Sequence, residues 1–105
     1  MTAKYPLVFD EVMLKQLQKG GKNNQIKTIL ARLLDKIEQL GPNAGKLIDS
    51  KLFIYEMKTK HPPIRLYFKH NLQTNEIYVF EFEMKKSEDN QQKTIDRLRR
   101  KFSES

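Results

Sequence analysis

Between Asn23-Asn24 and Gly41-Pro42, apolar residues fall at Ile26, Ile29, Leu30, Leu33, Leu34, Ile37 and Leu40. Offsets of 3, 4, 7, 8, 11 and 14 trace one stripe of an α-helix, and the Gly-Pro pair ends it. Ahead of it, Asp10 suits a helix N-cap. A first helix can run from there to about Lys19 with Val12, Met13 and Leu17 on one side, before Gly20-Gly21 supplies a left-handed stop. Tyr5–Phe9 is extended and apolar, and Pro6 cannot donate to a ladder, so this run suits a first strand at or near a sheet edge. Two helices joined by a very short Gly-rich turn predict an antiparallel hairpin whose apolar faces need a sheet to cover.

Three strand-like runs supply that sheet: Leu52–Lys58, Ile64–Lys69 and Ile77–Met84, rich in aromatic and β-branched residues. The links between them, His61-Pro62-Pro63 and Asn71 through Asn75, have loop chemistry at hairpin length and predict antiparallel neighbours. Asp89 or Asn90 can then cap a last helix to about Phe102. The predicted class is α+β, in the order β-α-α-β-β-β-α, with a mainly antiparallel sheet covered on one face by the N-terminal hairpin. No repeat, low-complexity segment or long linker divides the chain, so residues 1–105 read as one domain.

Alternation assigns the strand faces. In the last run Tyr78, Phe80, Phe82 and Met84 share one side, predicted as the helix-covered core, and Ile77, Val79, Glu81 and Glu83 share the other. In the middle run Ile64, Leu66 and Phe68 oppose Arg65, Tyr67 and Lys69. In the first, Phe53, Tyr55 and Met57 oppose Leu52, Ile54, Glu56 and Lys58. One face can therefore gather Glu56, Lys58, Arg65, Tyr67, Lys69, Glu81 and Glu83, and such a polar face on an antiparallel sheet is ordinarily its wet side.

Composition narrows the function. Twenty Lys and Arg against 13 Asp and Glu give a net charge of +7. Residues 1–45 carry 7 basic and 4 acidic side chains and residues 46–105 carry 13 and 9, so the excess belongs to the whole surface and not to a tail. Such a surface attracts polyanions without specifying which. The absence of cysteine removes thiolate catalysis, disulfides and Cys-ligated zinc. His61 and His70 fall in loops without organised spacing to carboxylates, so no metal and no cofactor is expected. Apolar runs such as Leu52–Tyr55 and Ile77–Phe80 are far shorter than the roughly 20 residues of a membrane span, and no signal-peptide pattern opens the chain. The reading is a cytoplasmic protein without a membrane partner.

The segments Tyr55-Glu56-Met57-Lys58, Ile64-Arg65-Leu66-Tyr67-Phe68 and Ile77 through Lys86, in this order of elements, resemble the RelE/HigB family of bacterial and phage toxins. The resemblance implies a RelE/ParE-like fold, on its HigB-like branch, and the toxin of a type II toxin–antitoxin pair. That toxin would be a ribosome-dependent mRNA endoribonuclease, partnered by an antitoxin, mRNA and ribosomal RNA. RNA carries its own nucleophile: the 2′-hydroxyl attacks the adjacent phosphorus if a base takes its proton and cations stabilise the charge that grows. By the resemblance, Arg65 matches the phosphate-binding arginine, Lys58 stands where arginine is common, and Lys85 and Lys86 match a basic pair after the last strand. Glu81 falls where several relatives carry histidine and is a candidate base; its bland alternative is an ion pair with Arg65 or Lys58. The chain departs from many active relatives in having no Tyr after Tyr78 and no His after His70.

Tyr67 is a candidate for stacking on a base and Lys69 for contacting RNA. On the last helix Lys93, Arg97, Arg100 and Lys101 share one side, with Ile95, Leu98 and Phe102 roughly opposite, so the basic stripe either tracks RNA backbone or is a solvated face. Two alternatives remain at this level: a ParE-like toxin that inhibits gyrase by binding it, and a basic RNA-binding domain without catalysis.

Overall fold

A computed structural model of the chain describes residues 5–20, 23–84 and 88–103. Strand β1 (Leu7–Phe9) is followed by helices α1 (Glu11–Gly20) and α2 (Asn24–Leu40), a 3-10 turn at Gly41–Ala44, strands β2 (Lys46–Asp49), β3 (Ile54–Lys58), β4 (Ile64–His70) and β5 (Ile77–Met84), and helix α3 (Glu88–Ser103). The five strands form one sheet in the order β1-β5-β4-β3-β2. Only β1 with β5 is parallel; the other three pairs are antiparallel. The α+β class and the edge position of the first strand are as the pattern predicts.

Helix starts follow the capping logic. Asp10 Oδ1 accepts from the Val12 amide at 2.9 Å, and Asn23 Oδ1 accepts from the Gln25 and Ile26 amides at 3.0 and 3.2 Å. Gly41 ends α2 at φ +59°, and the Tyr5 ring fills the space where a Cβ would stand, so both conformation and packing require glycine there. The other helix stop differs: Gly20 is still helical, and Gly21 lies outside the described residues. Asp89 and Asn90 lie inside the first turn of α3, which begins at Glu88, and so do not occupy the cap position expected of them.

Strand β2 is the element that the pattern misses. Lys46-Leu47-Ile48-Asp49 is too short and too polar at its ends to carry a period, and it becomes a strand by pairing with β3. Leu52 and Phe53 accordingly belong to the turn before β3, with Phe53 at φ +56°. His70, expected in a loop, ends β4, where its Nε2 lies 2.9 Å from Asn75 Oδ1.

The hairpin covers one face of the sheet. Met13, Leu30, Leu33 and Ile37 are buried against Met57, Leu66, Phe68, Ile77 and Val79, with Leu17, Ile26, Ile29 and Leu34 packed around them. Val12 is instead 39% exposed. The opposite face is not wet. Helix α3 lies on it, and Ile95 and Leu98 bury Ile54, Tyr67 and Phe80.

The last strand breaks strict alternation. Phe68 pairs with Val79 and Tyr67 with Glu81, so Phe80 is the extra residue of a β-bulge. Ile77, Val79 and Phe82 face the hairpin, while Tyr78 and Phe80 face α3. The expected grouping of Tyr78, Phe80 and Phe82 on one face is therefore corrected: the bulge returns Phe82 to the hairpin side and keeps Glu81 and Glu83 on the α3 side, where they meet its side chains.

Candidate functional site

Register, and not sequence proximity, assembles the polar cluster. Across β3, β4 and β5, Lys58 lies opposite Arg65 and Arg65 opposite Glu83; one step on, Glu56 lies opposite Tyr67 and Tyr67 opposite Glu81. Six of the seven residues expected to share a face thus form two adjoining rows, and Lys69 follows in the next, opposite Ile54. Their environment is a buried polar layer under α3. Glu56 is 3% exposed, Glu81 7%, Arg65 9% and Tyr67 0%.

Burying such side chains demands partners, and α3 supplies them for Glu56, Glu81 and Glu83. Gln91 Nε2 donates to Glu56 Oε2. Thr94 Oγ1 and the Tyr67 hydroxyl donate to the two oxygens of Glu83, each at 2.6 Å. Arg97 grips Glu81 with both terminal nitrogens at 2.8 Å, a bidentate geometry that also raises the guanidinium pKa. Burial pushes the Tyr67 phenol far up, and the Glu83 hydrogen bond and charge push in the same direction, so Tyr67 is a firmly protonated donor.

The far end of α3 is tied in the same manner. Lys101 Nζ and the Tyr78 hydroxyl both donate to Asp10 Oδ2, at 2.6 and 2.8 Å. Burial alone would raise the Asp10 carboxyl, but hydrogen bonds from Lys101, the Val12 amide and Tyr78, with the Lys101 charge, hold it below the ordinary 3.8. Burial, the Asp10 hydrogen bond and the Asp10 charge push Tyr78 up to about 12. Arg99 reaches across to Asp49 at 2.6 Å.

These contacts revise the expectations residue by residue. Glu81 is ion-paired, but its partner is Arg97 and not Arg65 or Lys58. The carboxylate facing those two cations is Glu56, whose Oε1 lies 3.5 Å from Lys58 Nζ and whose Oε2 lies 3.8 Å from Arg65 Nε. Tyr67 is fully buried against Ile95 and Leu98 and has no ring face to offer a base. Lys69 donates to the Leu52 carbonyl at 2.8 Å and so secures the turn before β3. On α3, Arg97 and Lys101 pair with Glu81 and Asp10 on the sheet side, and Lys93 and Arg100 are exposed as well. Lys85, Lys86 and the side chain of Phe102 lie outside the described residues.

Two features suit an anion. Arg65 Nε is buried and, among the described residues, has no hydrogen-bond partner. Beside it, the Lys58 side chain is 47% exposed and presents its charge at the rim. A cleft of about 510 Å³ adjoins this row, lined by Gln16, Glu81, Phe82, Glu83, Met84, Lys93 and Thr94. Gln16 closes the edge of β5 beyond the end of β1 by pairing with both the Phe82 amide and its carbonyl, at 2.9 and 2.8 Å. Among the described residues, no three His, Asp or Glu side chains converge as metal ligands. Sequence reasoning placed Glu56 on this face, in the Tyr-Glu-Met-Lys segment, without giving it a role, and overlooked Gln91, which nothing in the sequence marks.

The arrangement of strands and helices is the fold of the RelE toxins. The isolated E. coli RelE toxin superposes with a TM-score of 0.63 at 21% identity, covering 90% of this chain and 98% of that one. A doubly substituted mutant of E. coli RelE in the free state gives 0.66 at 21% identity, covering 92% and 99%. RelE in the intact E. coli RelBE toxin–antitoxin complex gives 0.61 at 22% identity, covering 79% and 99%. No protein-family model matches the sequence, and no curated protein matches it.

Proposed function

We propose that the chain is the toxin of a type II toxin–antitoxin pair and cleaves mRNA on the ribosome in the bacterial cytoplasm, held in check by a cognate antitoxin. The observation that carries this reading is the buried Arg65, whose Nε lacks a hydrogen bond beside the half-exposed Lys58, on a RelE fold. The motifs at Tyr55–Lys58 and Ile64–Phe68 favour its HigB-like branch.

In the reaction, Arg65 and Lys58 hold the scissile phosphate, with Lys85 and Lys86 as the further cations of the site. As the 2′-oxygen bonds to phosphorus and the 5′-oxygen leaves, negative charge grows on the non-bridging oxygens, where fixed cations lower the barrier. Lys93 and Arg100 on α3 contact RNA backbone outside the reacting phosphate. Glu81 serves as the base only if Arg97 releases it, because the bidentate pair occupies both its oxygens.

That engagement of Glu81 is also the observation favouring a non-enzymatic reading, a ParE-like inhibitor of gyrase or a plain RNA-binding domain. Induction in a bacterial host separates the readings. Growth arrest with mRNA cuts that require translating ribosomes is expected, and Arg65→Ala should reduce cutting by about 100-fold or more. Arrest with intact transcripts and inhibited supercoiling would place the protein in the gyrase class, and salt-dependent RNA binding without cleavage or arrest would leave only the RNA-binding domain.

A further inference from the structure

Arg65 and Glu56 are the two most deeply buried opposite charges of the cluster, yet they do not hydrogen-bond. Glu56 Oε2 stands 3.8 Å from Arg65 Nε, and that Nε is shielded from solvent with no acceptor among the described residues. A carboxylate and a guanidinium so placed ordinarily close to a short, charge-assisted pair, because an unpaired buried N–H is costly. Something must hold the carboxylate back. The oxygen nearest Arg65 is the one that accepts from Gln91 Nε2 on α3, and the other oxygen leans toward Lys58 Nζ at 3.5 Å.

We propose that Gln91 is a positioning residue: by holding Glu56 Oε2, it keeps that carboxylate off Arg65 Nε and so leaves the Arg65 side chain able to meet an RNA phosphate. The inference rests on the reading of Arg65 as the phosphate-gripping group. Without the Gln91 amide, rotation of the Glu56 side chain brings its carboxylate onto Arg65, the pair neutralises itself, and an incoming phosphate has to displace a bound carboxylate. Gln91 and Glu56 therefore act in opposition, and removing Glu56 should undo the loss of Gln91.

The test uses the full chain and inorganic phosphate as the probe, followed through the Arg65 Nε–Hε NMR signal. Phosphate should shift that signal in the unsubstituted protein. Gln91→Met keeps length and helix propensity but cannot donate, and should weaken the response by about tenfold or more. Adding Glu56→Gln to Gln91→Met should return phosphate affinity to within about threefold of the starting protein. A purely structural role for Gln91 would not be rescued in this way, and the backbone amide signals of α3 report whether the helix stays folded. Equal phosphate affinity in Gln91→Met, or failure of Glu56→Gln to restore it, overturns the proposal; so does an Arg65 signal that ignores phosphate in every variant. Failure of the nuclease reading is distinct: the phosphate response and its rescue then persist while ribosomes show no mRNA cleavage.

Discussion

The two faces of the sheet are covered by helices in opposite ways. Beneath the N-terminal hairpin the contacts are almost entirely apolar, with Met13, Leu30 and Ile37 meeting Leu66, Phe68 and Val79. Beneath α3, among the described side chains, the buried apolar anchors are Ile95 and Leu98, and the helix is otherwise tied by Gln91, Thr94, Arg97, Arg99 and Lys101 to Glu56, Glu83, Glu81, Asp49 and Asp10. Hydrophobic burial has no charge to screen or to titrate, whereas ion pairs and charge-assisted hydrogen bonds answer to ionic strength and to protons. The hairpin face is thus the structural half of the molecule. The α3 face is the half whose geometry conditions can adjust, and it holds the candidate site.

The sharpest way to separate the faces is to damage each in turn. Phe68 is fully buried on the hairpin side, and Phe68→Ala should cost about 3–5 kcal/mol and unfold much of the protein cooperatively, as followed by denaturant titration. Asp10 joins the faces, since it caps α1 and receives both Tyr78 and Lys101. Asp10→Ala should cost about 2–3 kcal/mol, with faster amide exchange at the start of α1 and the end of α3 than in β4. If exchange rises equally everywhere, the two faces are not separable.

Arg97→Met should cost about 1–2 kcal/mol at low salt, because Arg97 is half exposed but its loss leaves the buried Glu81 carboxylate without its bidentate partner, and the difference should shrink at high salt. Phe68→Ala should show no comparable salt dependence. A matching salt response in both variants would erase the distinction.

Protons sharpen it further. Asp10 and Asp49 titrate below their ordinary 3.8 in the folded chain, so the unfolded chain takes up protons first as pH falls. The stability they contribute is complete above about pH 4 and is lost as pH drops through their folded values. Amide exchange in α3 should quicken over that range before exchange in α2 does. At the alkaline end, the Tyr78 contribution is complete below pH 10 and is lost as pH rises toward about 12. A Tyr78 titration near 10, read by ultraviolet absorbance with Tyr78→Phe as the reference, would mean that the Asp10 contact does not form in solution.

Much of this fold was legible in the residues. The α2 stripe, the Asp10 cap, the three longer strands and the faces of β3 and β4 follow from local periodicity and turn chemistry, each carried by adjacent residues. The grouping of Glu56, Lys58, Arg65, Tyr67, Lys69, Glu81 and Glu83 was legible too, even though β5 was assigned by strict alternation. Phe80 carries no glycine or proline to mark its bulge, and β2 has too few residues to show a period. In the site, Arg65 and Lys58 stood out by type and motif, but Gln91 resembles any surface glutamine.

By itself the sequence determined which side chains could share a face, because alternation along a strand and the stripe along a helix are set by bond geometry. Tertiary structure alone decided what surrounds that face. Placing α3 over it turned an expected wet surface into a buried layer, paired Glu81 with Arg97, and gave Glu56 to Gln91. Those pairings join residues 16 to 35 positions apart, and their distances depend on how a bulged sheet and a helix pack together, which no local pattern encodes.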